Sequence, residues 1–482
     1  MPDFFKNLFL ILYTIALSGL SLFGLQSLVL TVLFLFKRRR ATPLPPPPAK
    51  WPLVTVQLPI YNERYVAARL IDAVCALDYA CDRLSVQVLD DSTDDTTALA
   101  QARIQHHQAQ GINITLIHRA QRAGFKAGAL AAGLAIAPGE FVAIFDADFL
   151  PAPDFLRRLI PVIVADPNLG AVQARWGHLN AAESPITRAQ ALALDGHFIV
   201  EQTARSRSGL PFNFNGSGGI WRRACIEAAG GWQGDTLSED FDLSYRAQIA
   251  GWRLAYRPEV VAPAEVPPQI TGFKRQQYRW AHGCIQVLGK LAPQFFGSAL
   301  TPAQKLSGLL HMTSYLAYPL MLLALLCALP MAWFSEGVPV WLGWLALGGL
   351  GPPILYIVSQ CATYDDWPKR LAFFPLLMGI GMGVALNNTQ AVFDALRVAP
   401  QEFARTPKFG AENNRPAHWQ NSAYALRGHW TLLGEWGLTF YAAFALTLAW
   451  ERAPALIVLL SLLTWGFGLV ALWGTWEVWP RR

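Results

Sequence analysis

The chain has 482 residues, 53% of them hydrophobic and only 15% charged, with 18 Trp and 27 Phe. That is too long for one core and too apolar for a protein held wholly in water, so two or three units are expected, part of them in lipid. The net charge of +6 gathers beside apolar stretches, at Lys37-Arg38-Arg39-Arg40 and Arg481-Arg482, which marks cytoplasmic membrane flanks and argues against nucleic acid as a partner.

Leu8–Phe36 is an apolar run long enough to span, with Gln26 its one strongly polar side chain. The basic cluster closing residues 1–40 then places the N-terminus outside. Residues 41–50, with Pro45-Pro46-Pro47-Pro48, read as a stiff spacer. From 51 to 290 the texture is that of a soluble α/β domain. Strands are expected over Val54–Leu58, Val86–Leu89, Ile114–Ile117 and Phe141–Phe145, with helices over Glu63–Leu77, Asp94–His107 and Lys126–Ile136. This alternation predicts a parallel, doubly wound sheet with ligands bound where its strands end.

Residues 291–396 return to the membrane, with spans expected over Leu309–Phe334 and Val338–Ser359. Leu371–Leu396 carries Asn387, Asn388, Gln390 and Asp394 and reads as interfacial or re-entrant. Parity agrees, if the cationic loop 397–427 and Arg481-Arg482 share the cytoplasmic side. A hairpin in 428–482, Leu432–Trp450 and Ala453–Trp473, brings the expected spans to five. The cysteines (75, 81, 225, 284, 327 and 361) form no CxxC pair and read as reduced thiols.

Four clusters carry chemistry: Asp90-Asp91-Ser92 after the second strand, Asp146-Ala147-Asp148 after the fourth, Ser238-Glu239-Asp240, and Gln276-Gln277-Tyr278-Arg279-Trp280. Asp-x-Asp at a strand end can hold a hard divalent cation against a departing diphosphate. A separate carboxylate, Asp240, suits a general base. Arg279 can hold phosphates, and Trp280 offers a face for a sugar ring. Each alone has a plainer reading: a solvated turn, a membrane-surface helix, or, for Asp90-Asp91, Ser92 and Thr93, a helix cap. Their order within one α/β domain between membrane segments is what carries weight.

This order resembles the processive family-2 glycosyltransferases, which include cellulose, hyaluronan and mannan synthases. Within that group Val56-Gln57-Leu58-Pro59-Ile60-Tyr61-Asn62-Glu63, Val86-Gln87-Val88-Leu89-Asp90-Asp91-Ser92-Thr93-Asp94 and Phe214-Asn215-Gly216-Ser217-Gly218-Gly219-Ile220-Trp221-Arg222 are similar to the cellulose-synthase-like A and C branch. The resemblance covers residues 50 to 410 and implies a GT-A-type α/β domain joined to an α-helical membrane domain. It also implies donor contacts from Tyr61, Glu63, Asp91, Lys126, Asp146, Gln276 and Arg279. Asp146 and Asp148 would bind Mg²⁺ or Mn²⁺, and Asp240 would be the base. Asn215, Glu239 and Trp280 would meet the acceptor, and Phe403, Thr406 and Lys408 would belong to a gating loop over the donor. Ser238 replaces the family's usual Thr, Ser92 its Gly, and Arg405 the Val of cellulose synthases.

The implied reaction is inverting transfer from a nucleotide sugar, UDP-glucose first and GDP-mannose second, onto a growing β-linked polysaccharide. The linkage implied is β-1,4, and the product would cross the bilayer. A bacterial inner membrane with a cytosolic catalytic domain is the expected location, or a Golgi membrane in a eukaryote. Two rivals remain: single transfer to a membrane lipid such as ceramide or diacylglycerol, and a catalytically dead scaffold. The second predicts a missing carboxylate, and none is missing.

Overall fold

A computed structural model describes residues 2–38, 43–334, 339, 341–397, 405–411, 422–426 and 430–478. Arg39, Arg40, Arg481 and Arg482, invoked above for orientation, and Phe403 of the expected gating loop lie outside the described residues.

The α/β unit is built on seven strands: β1 Val54–Ile60, β2 Leu84–Asp90, β3 Ile114–His118, β4 Phe141–Ile144, β5 Leu169–His178, β6 Gly219–Arg222 and β7 Arg253–Ala264. Their order is β3-β2-β1-β4-β6-β5-β7. The first four strands are mutually parallel, with Val54 opposite Leu84 and Ile60 opposite Asp90. Side chains alternate between faces, as the pleat demands. Phe141, Ala143 and Phe145 pack with Leu70, Val74, Phe155 and Leu159 on one face. Val142 and Ile144 pack with Leu130, Leu134 and Leu243 on the other. Burial on both faces accounts for the continuous apolar runs of these strands.

The sheet departs from the wholly parallel one expected, because β6 is antiparallel to both β4 and β5. The strand-helix alternation stops after β5, where helical segments fill Pro185–Arg207 before the chain returns. With β6 reversed, Gly219 pairs with Ile144, so the loop entering β6 lies beside the end of β4. Antiparallel pairing thus delivers Asn215–Gly218 to the edge where the parallel strands end.

The helix Ile270–Gly297 runs unbroken through Lys290 and joins the sheet to the membrane part. Among the described residues six helices are long and apolar enough to cross a membrane, one more than expected. The addition is Trp367–Ala395, whose main segments, Phe374–Gly383 and Ala385–Ala395, break at Val384. Two of its polar side chains are paired with the helix Ile270–Gly297. Asn387 Nδ2 donates to the Lys274 carbonyl at 2.9 Å, and the Tyr278 hydroxyl donates to Asp394 at 2.8 Å. Three full crossings between Lys290 and Arg405 would put Arg405 and Lys408 on the far side from Glu63 and Asp148, which they meet, so Trp367–Ala395 fits an interfacial or re-entrant segment despite its length.

Two further contacts fix Ile270–Gly297 to the C-terminal hairpin. Lys274 Nζ lies 2.6 Å from Glu435 Oε1, with both groups buried. Glu477 accepts from the Thr271 backbone N–H at 3.1 Å, from its hydroxyl at 2.8 Å and from the Ile270 N–H. A carboxylate at a helix start satisfies otherwise orphaned donors and complements the helix dipole.

Candidate active site

At the end of β2 the two adjacent aspartates have different surroundings. Asp90 is fully buried and accepts from the Thr97 hydroxyl at 2.6 Å and the Ser92 N–H at 3.1 Å, with His118 Nδ1 at 2.9 Å. It braces the turn. The helix that follows starts at Thr96, and neither Ser92 nor Thr93 caps it. Asp91 faces the cleft and takes two parallel hydrogen bonds from Arg119, at 2.7 and 2.6 Å, a rigid bidentate pair. The Arg122 guanidinium lies 3.5 Å from the centre of the Tyr61 ring. Glu63 is buried with Arg405 at 3.2 Å. Burial pushes its carboxyl up to about 8, with Arg405 pulling the other way.

The turn after β4 presents Asp146 and Asp148 to the same cleft, each met by a lysine. Lys126 Nζ lies 2.6 Å from Asp146 and 3.6 Å from Glu239, and it donates to the Gly216 carbonyl at 2.9 Å. Burial opposes its charge, but Asp146, Glu239 and Asp240 outweigh that and hold the ammonium above its ordinary range. Lys408 Nζ lies 2.6 Å from Asp148 and donates to the Glu265 carbonyl at 3.0 Å. No group of three or more His, Cys, Asp or Glu suited to a metal occurs among the described residues. Two carboxylates on alternate residues fit a hard divalent ion that completes its shell from water and phosphate oxygens, and do not fit an all-protein cage.

Across the cleft, Ser238-Glu239-Asp240 opens the helix Glu239–Ile249. Its first turn favours negative charge, yet burial first and Glu239 second raise the Asp240 carboxyl above the ordinary range, against Lys126 and Arg279. Two glycines permit this placement. Gly216 has φ +77°, and a Cβ there would stand 3.0 Å from Asp240 Oδ2. A Cβ on Gly283 would collide with Ser238, so the long helix can lie directly against the carboxylate turn. Gln276, Arg279 and Trp280 follow one another at helical spacing on that helix and therefore share a face.

Every site residue expected from sequence, Phe403 apart, lines one cavity of about 170 Å³: Tyr61, Glu63, Asp91, Lys126, Asp146, Asp148, Asn215, Glu239, Asp240, Gln276, Arg279, Trp280, Thr406 and Lys408. Sequence reasoning missed Arg119 and Arg122, as well as Trp176 and His178 on β5 and Glu265 just after β7. The spacing Arg119, Arg122, Lys126 before and into a helix was the available signal for the two arginines.

The fold and the cleft define a GT-A-type nucleotide-sugar transferase domain. Residues 51–283 match the sequence model "Glycosyltransferase like family 2", and this stretch is a family-2 glycosyltransferase domain. Glucomannan 4-beta-mannosyltransferase 2 of Arabidopsis thaliana is 44% identical over 247 residues, 50% of this chain and 46% of that protein. Glucomannan 4-beta-mannosyltransferase 1 of Cyamopsis tetragonoloba is 41% identical over 260 residues, 53% of this chain and 49% of that protein. The chain thus spans about half the length of the curated relatives it matches. Among solved structures, the mannosyltransferase PcManGT of Pyrobaculum calidifontis, in complex with GDP-Man and Mn²⁺, superposes with a TM-score of 0.55 at 24% identity. That match covers 80% of this chain and 99% of the other, and it shows the fold.

Proposed function

We propose that the protein is a membrane-embedded, inverting glycosyltransferase that extends a β-linked polysaccharide, with GDP-mannose as donor and β-1,4 as linkage. The observation that carries the reading is the meeting of Asp146, Asp148, Asp240, Arg279 and Trp280 in one cleft beside apolar helices. The mannosyl choice, ahead of the UDP-glucose favoured from sequence, is supported by the glucomannan 4-beta-mannosyltransferase relatives and by the GDP-Man of the PcManGT structure.

In this reading Tyr61, Glu63 and Asp91 seat the nucleoside. Asp146 and Asp148 hold Mg²⁺ or Mn²⁺, for which the Mn²⁺ of the same neighbour is support. Such an ion, when bound, neutralises charge on the leaving diphosphate. Lys126, Gln276 and Arg279 face the same phosphates, and the Lys408 ammonium must leave Asp148 for the ion to bind. Asp240 takes the proton from the attacking acceptor hydroxyl, its raised affinity for protons suiting a base that must accept one. Asn215, Glu239 and Trp280 hold the acceptor sugar, with Trp280 as the stacking face. Attack opposite the leaving group inverts an α-linked donor to a β-linked product. The six apolar helices support an integral membrane location, with the domain on the cytosolic side.

The test is turnover by the full chain in nanodiscs, with GDP-mannose and UDP-glucose offered separately beside Mg²⁺ or Mn²⁺. A long polymer made from GDP-mannose and cut by β-mannanase is expected. A single sugar on extractable lipid would replace this reading with the lipid-acceptor one. Polymer from UDP-glucose alone would return the donor to the first sequence choice.

A further inference from the structure

Beneath the cleft lies a polar cluster that the chemistry above does not use. The helix Pro185–Asp195 passes into a π-helical segment, Gly196–Glu201, and then into Gln202–Arg207. Such wide turns are rare and recur at functional sites. His197 Nδ1 lies 2.9 Å from Glu201 Oε2. His197 Nε2 lies 3.2 Å from Asn215 Nδ2 and 3.1 Å from Gln202 Nε2. Both of these neighbours are amide donors, so Nε2 is the bare, accepting nitrogen and Nδ1 carries the proton that Glu201 accepts. Burial opposes charge on Glu201, but His197 outweighs it and holds the carboxyl below its ordinary range.

The amide of Asn215 is fixed from its other end as well, since Gln202 Nε2 donates to its Oδ1 at 2.7 Å. Asn215 lines the catalytic cavity, beside Gly216 and Asp240. His197 and Glu201 line a different cavity, of about 140 Å³, together with Ser27 and Tyr356. The hydrogen bonds of this pair reach the catalytic cavity through Asn215. A sugar hydroxyl both donates and accepts, so which end of the amide faces which hydroxyl decides the match.

We propose that Glu201 and His197 are positioning residues that orient the Asn215 amide to grip the acceptor's terminal sugar. The second N–H of Nδ2 and the second lone pair of Oδ1 are the groups presented. This rests on the glycosyl-transfer reading above.

The experiment is a mutant cycle on the full chain in nanodiscs, with GDP-mannose and a β-1,4-linked mannooligosaccharide. His197→Ala and Glu201→Ala are expected to raise the acceptor KM by about 10- to 100-fold, with GDP affinity unchanged. Glu201→Gln keeps an acceptor for Nδ1–H and restores most of the loss. In an Asn215→Ala background, His197→Ala adds less than about twofold, because residues acting through one group are not additive. Equal factors in both backgrounds, or parallel loss of GDP affinity, overturn the proposal. Should His197→Ala fail to fold, the Glu201→Ala and Glu201→Gln pair in the same two backgrounds decides it. A wild type that transfers no sugar from any nucleotide sugar sinks the functional reading and this inference with it. An active wild type with additive variants sinks this inference alone.

Discussion

On the β3-β2-β1-β4 side, the site residues are continuations of strands: Tyr61 follows β1, Asp91 follows β2 and Asp146 follows β4. Their positions are set by the parallel register and by local partners such as Arg119 and Lys126. On the β6-β5-β7 side, Asn215 rides a glycine-rich loop, while Asp240, Arg279 and Trp280 ride helices. One of those helices is bound to the C-terminal membrane hairpin through Glu435 and Glu477. The half proposed to bind the nucleotide is held by its own strands and by Arg405 and Lys408, whereas the half proposed to bind the acceptor takes its geometry partly from the C-terminal apolar helices.

The sharpest separation of the two halves is expected from Asp240→Asn. Transfer should fall by about 10²- to 10⁴-fold while GDP binding, measured by calorimetry, stays as in wild type. A matching loss of GDP binding would mean that the halves are not independent.

Glu435→Leu tests the dependence on the membrane. It leaves Lys274 buried without its carboxylate partner, a loss of about 3–5 kcal/mol by comparison with other broken buried pairs. Thermal unfolding in detergent reads it, and Lys274→Met/Glu435→Leu together should recover most of the loss. Equal melting of the single variant, the double variant and the wild type would show that the pair contributes nothing.

Lys126 is where the halves touch, since it reaches Asp146, Glu239 and the Gly216 carbonyl. It lowers the proton affinity of Asp240, so Lys126→Met should move the acid limb of the turnover-pH profile to higher pH. An unmoved limb would remove Asp240 from the role of base, or Lys126 from its control.

The smallest effect belongs to Glu63. Its folded pKa, about 8, is above the ordinary 4.5, so the folded state holds a proton that the unfolded state has released. Its contribution to stability therefore declines as pH rises from the lower value and levels off above about 8. Between pH 6 and 8 the wild type should lose melting temperature relative to Glu63→Gln, about a degree or two per pH unit. Parallel curves would count against burial as the dominant influence.

The difference between the halves also governs what the sequence disclosed. The four parallel strands and their terminal carboxylates were legible because apolar runs ending in Asp, repeated with helices between, have few other interpretations. Strand β6 was not: its four residues follow a glycine-rich loop, and nothing local says that the chain returns antiparallel. Arg119 was hidden because its reach to Asp91 depends on β3 lying beside β2. The buried face of Trp367–Ala395 was hidden for a similar reason, since Asn387 and Asp394 look exposed until their partners on another helix are known. Chemistry held at strand ends can be read along the chain, while chemistry held between helices needs the packing.

Glu477 adds a mechanical consequence. Because a side chain of the last span closes the first turn of the helix that carries Trp280, no slack linker separates the two. In the proposed reading, tilting that span, as a thicker or thinner bilayer does, shifts Trp280, the proposed stacking face, against Asp240, the proposed base. Lipid thickness is then a tuning parameter for the alignment of acceptor and base, and bilayers of graded acyl length are the natural dial with which to turn it.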